Sequence, residues 1–131
     1  VQLGWDEKYG GLLRYADRDG GQPRGRSVTQ SAYESLVHQT WSTKLWWVHA
    51  EAVYGLTLLG QRDSELAEWA TRIADWTMKV FPEPDAEWIQ IRDQSGAPLN
   101  QVVALPVKDP LHIARAALFM NRLLNDHEGG N

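Results

Sequence analysis

Two short stretches hold the residues best able to do chemistry. Lys44-Leu45-Trp46-Trp47-Val48-His49-Ala50-Glu51 sets two tryptophans, a histidine and a carboxylate into an otherwise apolar segment. His112-Ile113-Ala114-Arg115 does the same with a second histidine and a guanidinium. Polar groups at such positions cost roughly 2–7 kcal/mol each if they are buried without partners, so their presence calls for a reason. His112 and Arg115 lie three apart and share one helical face with Phe119 and Arg122. His112 falls in the first turn of its helix, where free backbone N–H groups favour negative charge. A neutral imidazole there suits a general base, and the same positive end can stabilise a forming oxyanion. The plainer alternative is a histidine satisfied by capping contacts, with Arg115 in a structural ion pair.

Glu51 follows Trp47 by four residues, so an indole and a carboxylate share a face. That pairing suits a sugar, whose C–H groups lie on the ring and whose hydroxyls meet the carboxylate. A salt bridge from Glu51 to Arg115 or Lys108 is the competing explanation. His49 is two residues from Glu51 and points elsewhere, which makes it a core histidine or a helix-start contact. His38 and His127 lie in segments that earn them no role.

The elements that must position these residues can be read from periodicity. Residues 43–59 are apolar nearly all round, which marks a helix buried on most sides, and Gly60 ends it. Residues 64–81 differ: Leu66, Trp69, Ile73, Trp76 and Val80 form one stripe, and charged residues occupy the other side. Glu68/Arg72 and Asp75/Lys79 stand at helical pair spacing there, and Pro82 and Pro84 close the element. The last helix starts at Asp109 as N-cap with Pro110 at its first position. A short helix is expected at 31–39 and a short strand at 12–16. Residues 87–93 alternate like a strand, with Gln94-Ser95-Gly96 turning toward a second strand near Leu99. The order is thus inner helix, outer helix, hairpin, inner helix, the pattern of bundles, solenoids and α/α barrels.

Bulk properties narrow the function classes. The 131 residues make one domain with a modest core, and a net charge of -4 argues against nucleic acid. No apolar run approaches the ~20 residues that cross a bilayer, so no membrane association is expected. The absence of cysteine removes disulfides and thiolate metal sites and fits a reducing, cytoplasmic setting. No His-x-x-x-His pair, Gly-rich phosphate loop before a helix or serine elbow is present, so neither a metal nor a cofactor is expected. Seven tryptophans are many for this length and serve either core packing or sugar contact.

Taken in order, Gly-Trp-Asp-Glu-Lys-Tyr-Gly-Gly-Leu (4–12), Lys-Leu-Trp-Trp-Val-His-Ala-Glu-Ala (44–52), Glu-Trp-Ile-Gln (87–90) and Leu-His-Ile-Ala-Arg (111–115) resemble the N-acylglucosamine 2-epimerase superfamily of sugar 2-epimerases and aldose–ketose isomerases. The resemblance spans nearly the whole chain. It implies an all-α fold, residues 1–131 being roughly the last third of an (α/α)6 barrel with short β-hairpins at the active-site end. It also implies proton movement at C2 of a ring-opened reducing sugar through an enediolate, with two histidines as base and acid. His112 matches the later histidine, and Glu51 and Arg115 match the family's carboxylate and arginine. Trp46 or Trp47, together with Trp88, fall where aromatic residues line the sugar. The partner histidine is expected upstream of Val1, so the chain is read as a fragment insufficient for catalysis. The short segment Val107-Lys108-Asp109-Pro110 lacks a Gly-rich loop and leaves an unmodified hexose or disaccharide open beside an N-acetylated sugar. The alternative is a noncatalytic, sugar-binding or self-assembling module. In either case a small-molecule sugar is the expected ligand, and uncovered inner-helix surface should favour a homo-oligomer.

Overall fold

The computed structural model describes residues 1–99 and 110–128. Among these, four helices and one small sheet carry the regular structure: α1 (Ala32–Thr40), β1 (Lys44–Leu45), α2 (Trp46–Gly60), α3 (Ser64–Val80), β2 (Ile91–Arg92) and α4 (Pro110–Glu128). A single 3-10 turn at Gln2–Gly4 precedes them. The chain is mostly helical, as the sequence implies.

α2 packs against both α3 and α4, burying Trp46, His49 and Leu56, while its apolar residues Leu58 and Leu59 remain exposed. α2 and α3 form an antiparallel hairpin: His49 near the start of α2 stacks on Trp76 late in α3, and Gly60 lies against Ala67 at the other end. The turn is fixed by Asp63, whose carboxylate accepts from the Glu65 and Leu66 backbone N–H groups as an N-cap. α3 turns its apolar stripe inward, and Ile73 joins Trp5, Leu56 and Ala70 in the core with Trp69 and Trp76 packed around them. α4 runs in the same direction as α2, because Trp47 meets His112 at one level and Tyr54 meets Phe119 further along.

The segment before α1 covers the open edge of this hairpin. Gly10 and Gly11 have φ of +75° and +76°, and a Cβ on either would come within 2.6 Å of the Trp76 indole. Glycine is therefore required twice over, by conformation and by space. The Trp76 indole N–H donates to the Tyr9 carbonyl at 3.0 Å and closes the contact. Lys44 and Asp6 tie the same segment to β1 through a buried ion pair of 2.9 Å.

Three expectations change. Residues 12–16 do not form a strand: Leu12 makes one isolated bridge to Trp5, while Arg14 and Tyr15 donate to the carbonyls of Thr43 and Trp41. With its backbone N–H groups committed to separate neighbours, the segment has no single partner strand along which to extend a ladder. The strand expected over 87–93 shrinks to β2, which pairs antiparallel with β1 in the register Lys44 to Arg92 and Leu45 to Ile91. The turn at Gln94-Ser95-Gly96 is present, held by Asp93 N–H to Ala97 O at 2.9 Å and Leu99 N–H to Ile91 O at 3.2 Å. Glu68 and Asp75 make no ion pair along α3; Arg72 instead lies over the Trp5 and Trp69 rings, 4.8 and 5.1 Å from their centroids, and 3.7 Å from Glu7. α1 forms as expected, with a capping box between Ser31 and Glu34. The N-cap at Asp109 and the short segment before it lie outside the described residues.

Candidate functional site

The two stretches rich in polar chemistry converge where α2 and α4 begin side by side. β1 and β2 anchor the start of α2, the Trp46 N–H donating to Gln90 O at 3.1 Å across their junction. Trp47 and Glu51, one turn apart, then face α4. Pro110 opens α4 with a φ already suited to a helix, and His112 and Arg115 follow on one face. His112 Nδ1 lies 2.9 Å from Glu51 Oε1, and Arg115 Nη2 donates to the same oxygen. The indole of Trp47 stacks on the His112 imidazole, with centroids 4.9 Å apart and planes inclined by 29°.

The electrostatics follow from this geometry. Partial burial alone would push the Glu51 carboxyl up. Hydrogen bonds and charge from Arg115 and His112 outweigh it and hold the group below its ordinary value. The hydrogen bond and charge of Glu51 in turn raise Arg115. A carboxylate only accepts, so the ring proton of His112 in this contact resides on Nδ1. Nε2 is then the basic nitrogen of the neutral ring. The side chains of Glu51, His112 and Arg115 keep 21%, 31% and 48% of their surface exposed, so the cluster is open to a solute. It combines a nitrogen able to take or give a proton, a carboxylate that orients it, and a fixed cation beside it.

The remaining candidates are placed differently. Trp46 is packed inside and only 9% exposed, so its indole does not face solvent beside the cluster. Trp88 stacks on Phe81 with planes 12° apart. With Tyr54, Ile113 and Met120 it lines an apolar cleft of about 240 Å³ between α2, α3 and α4. That cleft adjoins the cluster through Ile113 but offers little to a hydroxylated ligand. His49 is fully buried: Nδ1 donates to Leu45 O at 2.7 Å and Nε2 accepts from Leu12 N–H at 2.8 Å. Burial pushes its pKa down to about 4, so it is a neutral pin between α2 and the segment before α1. His38 is exposed on α1.

Sequence reasoning overlooked the Asp6–Lys44 pair. Burial would push the Asp6 carboxyl up, but hydrogen bonds from Lys44, Gln94 and the backbone reverse the sign and keep it low. For Lys44 burial prevails and the shift is downward. The carboxylate also accepts from the Lys8 and Tyr9 backbone N–H groups, so the ionised form of Asp6 is the one its surroundings favour. The available signal was slight: Lys44 heads an apolar run, and Asp6 follows Trp5 directly.

No protein-family model matches the chain. It is similar to N-acylglucosamine 2-epimerases of Mus musculus and Rattus norvegicus, each 29% identical over 125 residues that cover 92% of this chain and 26% of the relative. The Bos taurus protein of the same name is 28% identical over 127 residues, covering 94% and 27%. The chain therefore spans about a quarter of the length of the curated relatives it matches. The resemblance read from the four motifs is borne out at this level.

Proposed function

We propose that the chain supplies one wall of the site of a sugar 2-epimerase or aldose–ketose isomerase. One observation carries the reading: a single carboxylate oxygen of Glu51 joins His112 and Arg115 across two helices that start at the same end. His112 moves the proton at C2 of a ring-opened reducing sugar through Nε2. Removing that proton leaves an enediolate, whose developing negative charge Arg115 stabilises. Glu51 fixes the imidazole and stabilises its protonated form once the proton has been taken. Its place between the histidine and the arginine fits an orienting role better than a direct grip on sugar hydroxyls. Return of a proton to the same carbon from the opposite face inverts C2, and this needs a second acid. Among the described residues His49 is enclosed in the core and His38 is exposed on α1, so neither is assigned that role. The same-direction course of α2 and α4, with α3 antiparallel outside, fits part of an (α/α)6 barrel.

Incubation with N-acetylmannosamine, mannose or cellobiose in heavy water tests the reading. Deuterium should enter C2 of at least one sugar when the chain is present in a complete protein, and His112→Ala should abolish it. No incorporation into any reducing sugar sinks the proposal.

A second reading is favoured by the exposed apolar residues of α4 (Leu111, Leu118 and Leu124, at 65%, 50% and 54%). On this reading the chain is a noncatalytic sugar-binding module that self-associates through such surface. Sedimentation showing a folded monomer at high concentration counts against it.

A further inference from the structure

An aromatic ring beside a carbohydrate site is ordinarily taken as a platform for the sugar. Trp47 is arranged differently. One face of its indole is occupied by the His112 imidazole, at 4.9 Å between centroids and 29° between planes. The ring is also held from below: Trp47 is the second residue of α2, whose start is pinned by the β1–β2 pairing and by the Trp46 N–H to Gln90 O bond. Its neighbour Trp46 is packed inside, which prevents the first turn from rolling.

We propose that Trp47 is a positioning residue for His112. Two contacts bear on different parts of the imidazole. The bond from Nδ1 to Glu51 Oε1 holds one edge of the ring. By itself it leaves the ring able to swing about the N–O axis. The indole closes one side of that swing, so both contacts bear on the direction of Nε2. The negative face of the indole also favours a positively charged imidazole, the form His112 takes after accepting a proton. Glu51 and Trp47 lie on the same face of α2 at helical spacing, so one helix delivers both contacts to one residue of α4.

The catalytic consequence rests on the reading proposed above; the stack itself does not. It is tested first in the chain alone, by the imidazole C–H proton resonances of His112. The indole ring current should displace them from ordinary histidine positions, the displacement should vanish in Trp47→Leu, and Trp47→Phe should restore part of it. Resonances that do not move in Trp47→Leu overturn the inference. The kinetic consequence follows in a protein that exchanges C2 deuterium. There Trp47→Leu should lower turnover roughly 10- to 100-fold, as misplacing a reacting group does, and Trp47→Phe should recover most of it. The half-saturating sugar concentration should stay within about twofold of the unsubstituted protein if the indole acts through His112 and binds no sugar. A raised half-saturation with unchanged turnover makes Trp47 a sugar platform and overturns the positioning role. Because the spectra need no sugar, failure of C2 exchange counts against the proposed reaction and leaves the stack to be judged on the spectra.

Discussion

Glu51 and His112 are 61 residues apart in sequence and 2.9 Å apart between Oε1 and Nδ1. The contact joins the second turn of α2 to the first turn of α4 and decides which imidazole nitrogen carries the proton. It also explains why a glutamate stands on a helix that is apolar nearly all round. With Arg115 on the same oxygen, Glu51 is satisfied twice, and the cost of its partial burial is offset by two charge-assisted bonds.

Removing the Glu51 carboxylate should therefore affect His112 before it affects stability. In Glu51→Ala the neutral imidazole loses its fixed Nδ1–H form, and two-bond proton–nitrogen spectra should show the tautomer ratio relaxing toward that of unconstrained histidine. C2 exchange should fall on the order of 100-fold or more, since a general base held in the wrong orientation loses most of its effect. Spectra identical to those of the unsubstituted chain would show that Glu51 does not orient the ring.

His49 should make the fold sensitive to mild acid. Burial holds its folded pKa at about 4 against an ordinary 6.5. Between those values the unfolded chain binds a proton that the folded chain does not. Its contribution is complete above pH 6.5 and is lost as pH falls toward 4, where the difference saturates. The full shift corresponds to about 3 kcal/mol. Denaturant midpoints should be level from pH 8 to 6.5 and decline by pH 4.5. In His49→Gln the midpoint at pH 7 should be lower and its decline shallower. A midpoint unchanged between pH 7 and pH 4.5 would contradict the buried, neutral state.

Much of this arrangement was legible because helical spacing is local. Trp47/Glu51 and His112/Arg115 could each be assigned to a face from their separation, and the stripe from Leu66 to Val80 identified the inward side of α3. The core role of His49 followed from its offset from Glu51. Hidden from the sequence were the contacts made by loops. Ile91 and Arg92 pair with Lys44 and Leu45, nearly fifty positions back, and nothing in an alternating pattern names its partner. Leu12 has the bulk of a strand residue, yet its N–H goes to His49 Nε2. Spacing likewise leaves open which of the adjacent Trp46 and Trp47 faces the site; the direction in which β1 feeds α2 sends Trp46 inward and Trp47 to His112.

The Asp6–Lys44 pair offers the sharpest test of how the segment before α1 is attached. Lys44 is fully buried and its ammonium meets the carboxylate at 2.9 Å. Lys44→Met removes the cation and leaves Asp6 with Gln94 and two backbone donors. Breaking one side of a buried pair costs about 3–5 kcal/mol, because the remaining charge stays desolvated. Asp6→Asn combined with Lys44→Met removes both charges and keeps an oxygen for the Lys8 and Tyr9 N–H groups. The double variant should thus be more stable than Lys44→Met alone, with a coupling of roughly 1–3 kcal/mol in a double-mutant cycle at neutral pH. Additive losses would mean that the two groups do not act as a pair. The Trp76 indole N–H resonance gives the local readout, since it donates to the Tyr9 carbonyl and the Tyr9–Gly11 turn should lift away in the single variant while staying in place in the double.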